Sequence, residues 1–320
     1  MPLVSVYLLR ILAILLIVNS HLSAFYPTPK LAFGGHLGNS IFYLISGYGL
    51  ALSFNKKPLT TVVWIKKRFI KLLVPIILIL AIINIGDWQG FKDEVMYHLV
   101  WHKIEQLEYF IPILIGLYLL FPPINRLTAK GRYVLIAALL LLSGTLFYLR
   151  IESLPTVPAG LPSEGIFFAI NGLLCFAIGI VMANGAWVIS MTQRPYIRAK
   201  LLSAVISSEV LHILTVKYAP GYVYLNFYLN IICVTALFLL FLTFKTERFT
   251  PGASAGITAV ASSSLAVYLV HFEAIRLIGG SLVAFPYSIL LIFLNSFLWA
   301  YAATKLVGAV TDKTLGRLGI

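Results

Sequence analysis

The chain has 320 residues, 60% of them hydrophobic and only 11% charged, with a mean hydropathy of +0.95. Soluble domains carry about a quarter charged residues, so this composition excludes a soluble enzyme, a secreted disulfide scaffold and a disordered protein. The net charge of +13, from 24 basic and 11 acidic residues, would suit a nucleic-acid partner, but its distribution argues otherwise.

About 20 apolar residues in a helix cross the roughly 30 Å of bilayer hydrocarbon. Ten stretches qualify: 3–25, 35–54, 69–86, 109–125, 133–149, 166–184, 200–216, 222–243, 257–278 and 284–306. The expected fold is therefore all-α and polytopic, with ten transmembrane helices in one integral-membrane domain over 1–320. The longest gap between spans is 87–108, which leaves no place for an appended soluble domain.

In the first span, Arg10 and His21 are eleven residues apart, which at 100° per residue places both on one helix face about 16 Å apart. Ionisable groups at membrane depth are costly and are functional candidates by default. His21 can take and return a proton near neutral pH. Arg10 stays charged and needs an anion or carbonyl oxygens around it. The bland alternative has Arg10 snorkelling to one interface while His21 sits among headgroups at the other. Residues 1–24 also have the outline of a signal peptide, but the segment before the apolar run is itself apolar and carries only Arg10.

The second span holds His36, Asn39, Ser40, Tyr43, Ser46 and Tyr48 among Gly34, Gly35, Gly38, Gly47 and Gly49. His36, Tyr43 and Ser46 are candidate cavity-lining residues, although small residues in a membrane helix equally serve close packing. The run KKRFIKLLVP (66–75) marks the inner mouth of the third span. Lys67, Arg68 and Lys71 read either as a topology signal or as a cradle for the phosphates of a cytoplasmic ligand. In the following loop His98 and His102 have ligand spacing, with Glu105 and Glu108 behind them, but a solvated amphipathic helix is the commoner cause of that pattern.

Glu209 and His212, three apart in the seventh span, share a helix face. A lone Glu-x-x-His is too little for a metal site, and no metal is expected. Cys175 and Cys233 both fall inside spans, so neither is expected in a disulfide. The ninth span carries Tyr268 and His271 in AVYLVHFEAI, with Glu273 and Arg276 spaced to pair at its end.

Lys and Arg collect on the cytoplasmic side of membrane proteins. With the N-terminus inside, seventeen of the 24 basic residues fall in inner loops and helix ends, six fall outside, and Arg10 lies within a span. Both termini are therefore expected in the cytoplasm. The basic excess marks orientation, and no nucleic-acid partner is implied.

These segments resemble, in order, those of the membrane-bound acyltransferase 3 family, which O-acylates cell-surface polysaccharides and related molecules. The first span, LLRILAILLIVNSHLSAF, is similar to the family's first helix with its Arg and His. FYLISGYGLALSF (42–54) looks like its Ser-Gly segment. KKRFIKLLVP looks like its Arg-x-x-Arg segment, with Lys71 in place of the second Arg. YFIPILIGLYLLFPPI (109–124) resembles its fourth span, and SLAVYLVHFEAI (264–275) its Tyr-Leu-x-His. One departure is LEYF where the family often has His-Leu-Trp-Phe. The resemblance covers nearly the whole chain without the family's optional extracytoplasmic hydrolase-like domain.

The resemblance implies an O-acyltransferase of the bacterial inner membrane. Acyl-CoA, most simply acetyl-CoA, would be the cytoplasmic donor, and a glycan or lipid-linked saccharide the outward-facing acceptor. It implies Arg68, Lys71 and Lys67 at the donor phosphates and Arg10 at a donor carbonyl or diphosphate oxygen. His21 would activate the acceptor hydroxyl or carry the acyl group transiently, with Ser46 lining the channel and His271 orienting the sugar or His21. Two other readings compete. A proton-coupled secondary transporter would also use Arg10, Glu209 and His212, although no inverted repeat is evident. A glycan-assembly partner without activity would leave Arg10 and His21 free to vary. Partners beyond membrane lipids, and the oligomeric state, are not readable.

Overall fold

The computed structural model describes residues 3–56, 60–99, 109–149, 163–218, 223–244, 249–279 and 283–317. Among these residues the secondary structure is entirely helical. The helices are α1 (Leu3–Ser20), α2 (Gly35–Lys56), α3 (Thr61–Ile83), α4 (Trp88–Leu99), α5 (Phe110–Arg126), α6 (Ala129–Tyr148) and α7 (Ser163–Asn184). They continue with α8 (Trp187–Thr192), α9 (Ile197–Tyr218), α10 (Val223–Leu242), α11 (Pro251–Ser262), α12 (Ser264–Gly279) and α13 (Tyr287–Arg317).

Each of the ten predicted spans falls on a helix, with informative differences. Six helices (α2, α6, α7, α9, α10, α13) are long and apolar enough to cross a membrane, and α11 with α12 makes a seventh if that bent pair counts as one span. α1 and α5 are apolar but shorter, and α3 carries Lys66, Lys67, Arg68 and Lys71 in its first three turns. The protein is thus a helical membrane protein. In the 87–108 loop α4 is seen, whereas the His98 side chain, His102, Glu105 and Glu108 lie outside the described residues.

The helices depart from the sequence expectation in several places, and α1 ends at Ser20 rather than at 25. α3 begins eight residues before the predicted span, so the basic run lies on the helix itself rather than at its mouth. α13 continues eleven residues beyond 306 because Val307, Thr311 and Leu315 repeat every four residues and are buried. The ninth span is broken: α11 and α12 meet at an angle of 61°. Ser262 Oγ and Ser263 Oγ both donate to the Ala259 carbonyl, and such serine back-bonding competes with the helix ladder and bends it.

The chain divides into two compact units. One comprises Asn39–Pro58 and Trp101–Lys245, and the other Leu3–Gly38, Leu59–Val100 and Thr246–Ile320.

In the first unit α7 packs on α5, α6 and α10, and α10 on α9. α2 lies against α7 with two glycines at the crossing: a Cβ on Gly47 would meet the Phe176 carbonyl oxygen, and one on Gly179 the Leu44 carbonyl oxygen. Such backbone-to-backbone approach is how small residues join membrane helices, where no hydrophobic effect separates protein from lipid. The two helices run parallel, since Ser40 meets Asn171 near their starts and Asn55 meets Asn184 at their ends.

In the second unit α1 packs on α11 and α12, α12 on α3 and α13, and α13 on α3. Gly38, at the start of α2, sits on α1 against Ala13 and Ile17.

Candidate functional site

The second unit gathers Arg10, His21, Lys67, Arg68, Lys71, Tyr268 and His271. α1 ends at Ser20, so His21 is the first residue beyond it rather than part of the helix, and its backbone N–H bonds the Val18 carbonyl at 3.1 Å. The shared-face argument for Arg10 and His21 therefore applies only as far as Ser20. The turn gives His21 an exposed side chain with one flank against α12. Its ring centroid lies 5.1 Å from that of His271 and 4.8 Å from that of Phe272, the latter edge-on.

His271 is fully buried in α12, and its Nδ1 lies 2.7 Å from the Tyr268 carbonyl oxygen. A carbonyl can only accept, so Nδ1 carries the proton and a neutral ring presents Nε2 as an acceptor. The Tyr268 ring is buried 5.8 Å from His271 and the Phe272 ring lies tilted at 4.1 Å, so the imidazole is held on several sides. One turn further on, Glu273 pairs with Arg276 through Oε2 at 2.6 and 2.9 Å, as their spacing suggested, on the exposed side.

Asn19, which carried no signal in the sequence beyond its place two residues before His21, organises the loop that follows α1. Its Nδ2 donates to the carbonyls of Leu31 (2.9 Å) and Phe33 (3.0 Å), and its Oδ1 accepts from Tyr26 Oη at 2.5 Å. Partial burial raises the Tyr26 pKa above the usual phenol value, so the hydroxyl stays a donor at neutral pH. These bonds fold residues 22–33 back beside His21. His36 is exposed in the first turn of α2.

Arg10 is half-buried in α1 with its Nε shielded from solvent. On α3 the cations are close enough for Lys67 and Arg68 both to act electrostatically on Lys71, and Asp312 of α13 acts on it with opposite sign. The Arg68 guanidinium lies 5.8 Å from the ring centroid of the buried Trp64. An arginine beside an aromatic face can still offer its planar fork to a phosphate or carboxylate.

The remaining sequence candidates belong to the first unit. Tyr43 is buried, stacked on Phe110 at 5.4 Å, with its hydroxyl 3.5 Å from the Phe110 carbonyl. Ser46 is half-buried on α2. Glu209 and Ser208 of α9 lie against the Cys233 thiol of α10, and no hydrogen bond joins Glu209 to His212 among the described residues. Cys175 and Cys233 are free and buried. No cluster of three His, Cys, Asp or Glu side chains gathers as a metal site would among the described residues.

The second unit thus contains an exposed imidazole braced by a second, buried one, a shielded arginine, and a basic cluster. A model of the acyltransferase 3 family, described as an acyltransferase domain, matches residues 3–307. Neither curated proteins nor solved structures give a match.

Proposed function

Because the chain belongs to this acyltransferase family and is a membrane acyltransferase, we propose that it moves an acyl group from cytoplasmic acyl-CoA to a hydroxyl of an extracytoplasmic glycan. The donor is most simply acetyl-CoA. The acceptor is a cell-surface polysaccharide or its lipid-linked precursor, and the compartment is the cytoplasmic membrane. The observation that carries this reading is the exposed His21 packed on the buried, proton-fixed His271, within the one unit that also holds Arg10 and the α3 cations.

The topology assigned is ten spans with both termini in the cytoplasm. Parallel packing of α2 and α7 supports it, because parallel helices need an odd number of crossings between them. α3, α5 and α6 supply three if α4 does not cross.

In this reaction Arg68, Lys71 and Lys67 hold the donor phosphates. Arg10 steadies a donor carbonyl or diphosphate oxygen and the negative charge that develops as the thioester is attacked. His21 takes the proton of the acceptor hydroxyl as its oxygen bonds the acyl carbon, and then returns a proton to the departing thiolate of CoA. Alternatively His21 carries the acyl group between the two partners. His271 keeps the His21 ring in position. A proton-coupled carrier, the rival reading, is disfavoured by the family match.

Purified protein in nanodiscs, given radiolabelled acetyl-CoA and candidate glycans, tests the proposal. Label appearing on the glycan, with CoA released in equal amount, is the expected result. Movement of glycan or substrate across proteoliposomes with no acylation would sink it in favour of a carrier.

A further inference from the structure

The turn between α3 and α4 is bonded throughout its short length. The Asn84 backbone N–H and Nδ2 both donate to the Leu80 carbonyl, at 3.1 and 2.9 Å, and the Asp87 N–H donates to the Asn84 carbonyl at 3.0 Å. Gly86 turns the chain at φ +87°, a conformation that side-chain-bearing residues resist. Asp87 then caps α4, its Oδ1 accepting from the Gly90 N–H at 2.9 Å. These bonds set the direction in which α4 leaves α3.

The two sides of α4 differ in kind. At 100° per residue, Trp88, Phe91, Val95 and Leu99 fall within about 80° of one another, whereas Gln89, Asp93 and Glu94 project from the rest of the circumference. Trp88 is 67% exposed, and Phe91, Val95 and Leu99 are half-buried. The Trp88 ring stacks on Phe91 at 5.4 Å, and the Lys92 ammonium lies 5.2 Å from the Trp88 centroid. The lysine stem thus runs along the apolar side with its charge at the indole, as a snorkelling lysine does at a membrane surface. On the polar side Gln89 donates to Asp93 at 3.2 Å.

What covers the apolar side follows from where the turn places it. Ile77, Ala81 and Ile85 are exposed at four-residue steps along α3, Ile85 to 81%. In a helical membrane protein an exposed isoleucine line is the boundary with acyl chains, which are as apolar as the side chains themselves. Trp88 follows Ile85 by three residues and carries that boundary onto α4. The twelve residues of α4 reach about 18 Å against about 30 Å of hydrocarbon, too short to cross. Lys92 is outnumbered by Asp93 and Glu94, so attraction to anionic headgroups does not hold the helix. Apolar burial does, with tryptophan at the level of the headgroups that its ring favours.

We propose that α4 is a lipid-docking helix, lying in the boundary between headgroups and acyl chains with Trp88, Phe91, Val95 and Leu99 against phospholipid and Gln89, Asp93 and Glu94 in water. In the topology given above this is the outer leaflet. The docking stands independently of the acyl-transfer reading.

The test uses the full chain in phosphatidylcholine nanodiscs. Subtracting the emission of Trp88→Phe from that of wild type isolates Trp88, because the other tryptophans are common to both and phenylalanine keeps the stripe apolar. Lipid brominated near the headgroup end of its acyl chains should quench Trp88 about twofold or more, and aqueous iodide should leave it unchanged. Adding Asp93→Trp to Trp88→Phe moves the reporter about 140° around the helix, and the order of the two quenchers should reverse. Replacing half the lipid with phosphatidylglycerol should change neither result. Iodide quenching of Trp88 without bromolipid quenching would mean a solvated helix and overturn the proposal. It is equally overturned if neither quencher reaches Trp88, as when a protein partner or second copy covers the stripe. Stronger quenching by bromine at the chain ends would place α4 in the hydrocarbon core, and quenching only with phosphatidylglycerol present would make headgroup charge the cause; each contradicts the proposal. So does the same quencher order at positions 88 and 93.

Discussion

Replacing His271 by Ala removes the brace behind His21 without touching His21 itself. Two of the interactions lost bear on the placement of His21: the ring pair at 5.1 Å between centroids and the hydrogen bond from Nδ1 to the Tyr268 carbonyl at 2.7 Å, which orients the His271 ring. An aromatic pair contributes about 0.5–1.5 kcal/mol beyond its burial, and a hydrogen bond a similar net amount. If both serve to hold His21 in its reactive geometry, about 1–3 kcal/mol is at stake, which converts to a fall in kcat of about 5- to 150-fold. The KM for acetyl-CoA should stay near wild type, because the α3 cations are untouched. His271→Asn places an amide donor near the position of Nδ1 and should recover part of the loss, whereas His271→Phe restores only the ring contact. Steady-state kinetics with labelled acetyl-CoA in nanodiscs would show this split between kcat and KM. Wild-type kcat in His271→Ala would refute the bracing argument. A loss as deep as that of His21→Ala would mean that His271 itself takes part in the chemistry.

Further outcomes are expected elsewhere. Gly47→Ala and Gly179→Ala each push a methyl group into a backbone carbonyl of the facing helix, so each should destabilise the first unit by about 1–3 kcal/mol. Unfolding in mixed micelles would measure this, and wild-type midpoints would show that α2 and α7 can separate at no cost. Arg68→Ala combined with Lys71→Ala should raise the Kd for CoA about 10- to 100-fold, from two lost charge-assisted contacts. Calorimetry giving an unchanged Kd would reduce the run to a topology signal. Asn19→Leu deletes three hydrogen bonds that shape the loop after His21. It should increase proteolysis within 22–33 and lower kcat; protection equal to wild type would show that the loop is held by other means.

Long apolar runs made the helices legible in the sequence, because lipid demands a continuous 3.6-residue ladder and leaves few alternatives. What that pattern could not reveal was local competition for backbone groups. Nothing in the hydropathy of 257–278 marks the bend, which comes from Ser262 and Ser263 hydroxyls turning onto the Ala259 carbonyl. α3 likewise begins earlier than hydropathy suggests, because its cations are good helix formers that hydropathy reads as an interruption. The candidate site was half legible. His21 and His271 stood out singly as ionisable groups in apolar surroundings, but their contact depends on α1 packing on α12, which no local pattern encodes. Arg10 and His21 were expected on one helix face, whereas the helix stops a residue short of His21. Tyr43 carried a polar signal, yet its hydroxyl is spent on the Phe110 carbonyl. Asn171 and Asn230 carried little signal individually, since a single amide in a membrane helix is ordinary; their shared bond to Ser40 appears only when α2, α7 and α10 meet.

The central claim is that His21 performs the acyl transfer. The measurement that tests it most directly is transfer of label from radiolabelled acetyl-CoA to glycan by wild type and by His21→Ala, both in nanodiscs and both shown to bind CoA equally. Loss of a general base costs about 10²- to 10⁴-fold, so glycan labelling by His21→Ala should fall by at least two orders of magnitude while CoA affinity holds. Labelling at the wild-type rate would contradict the account.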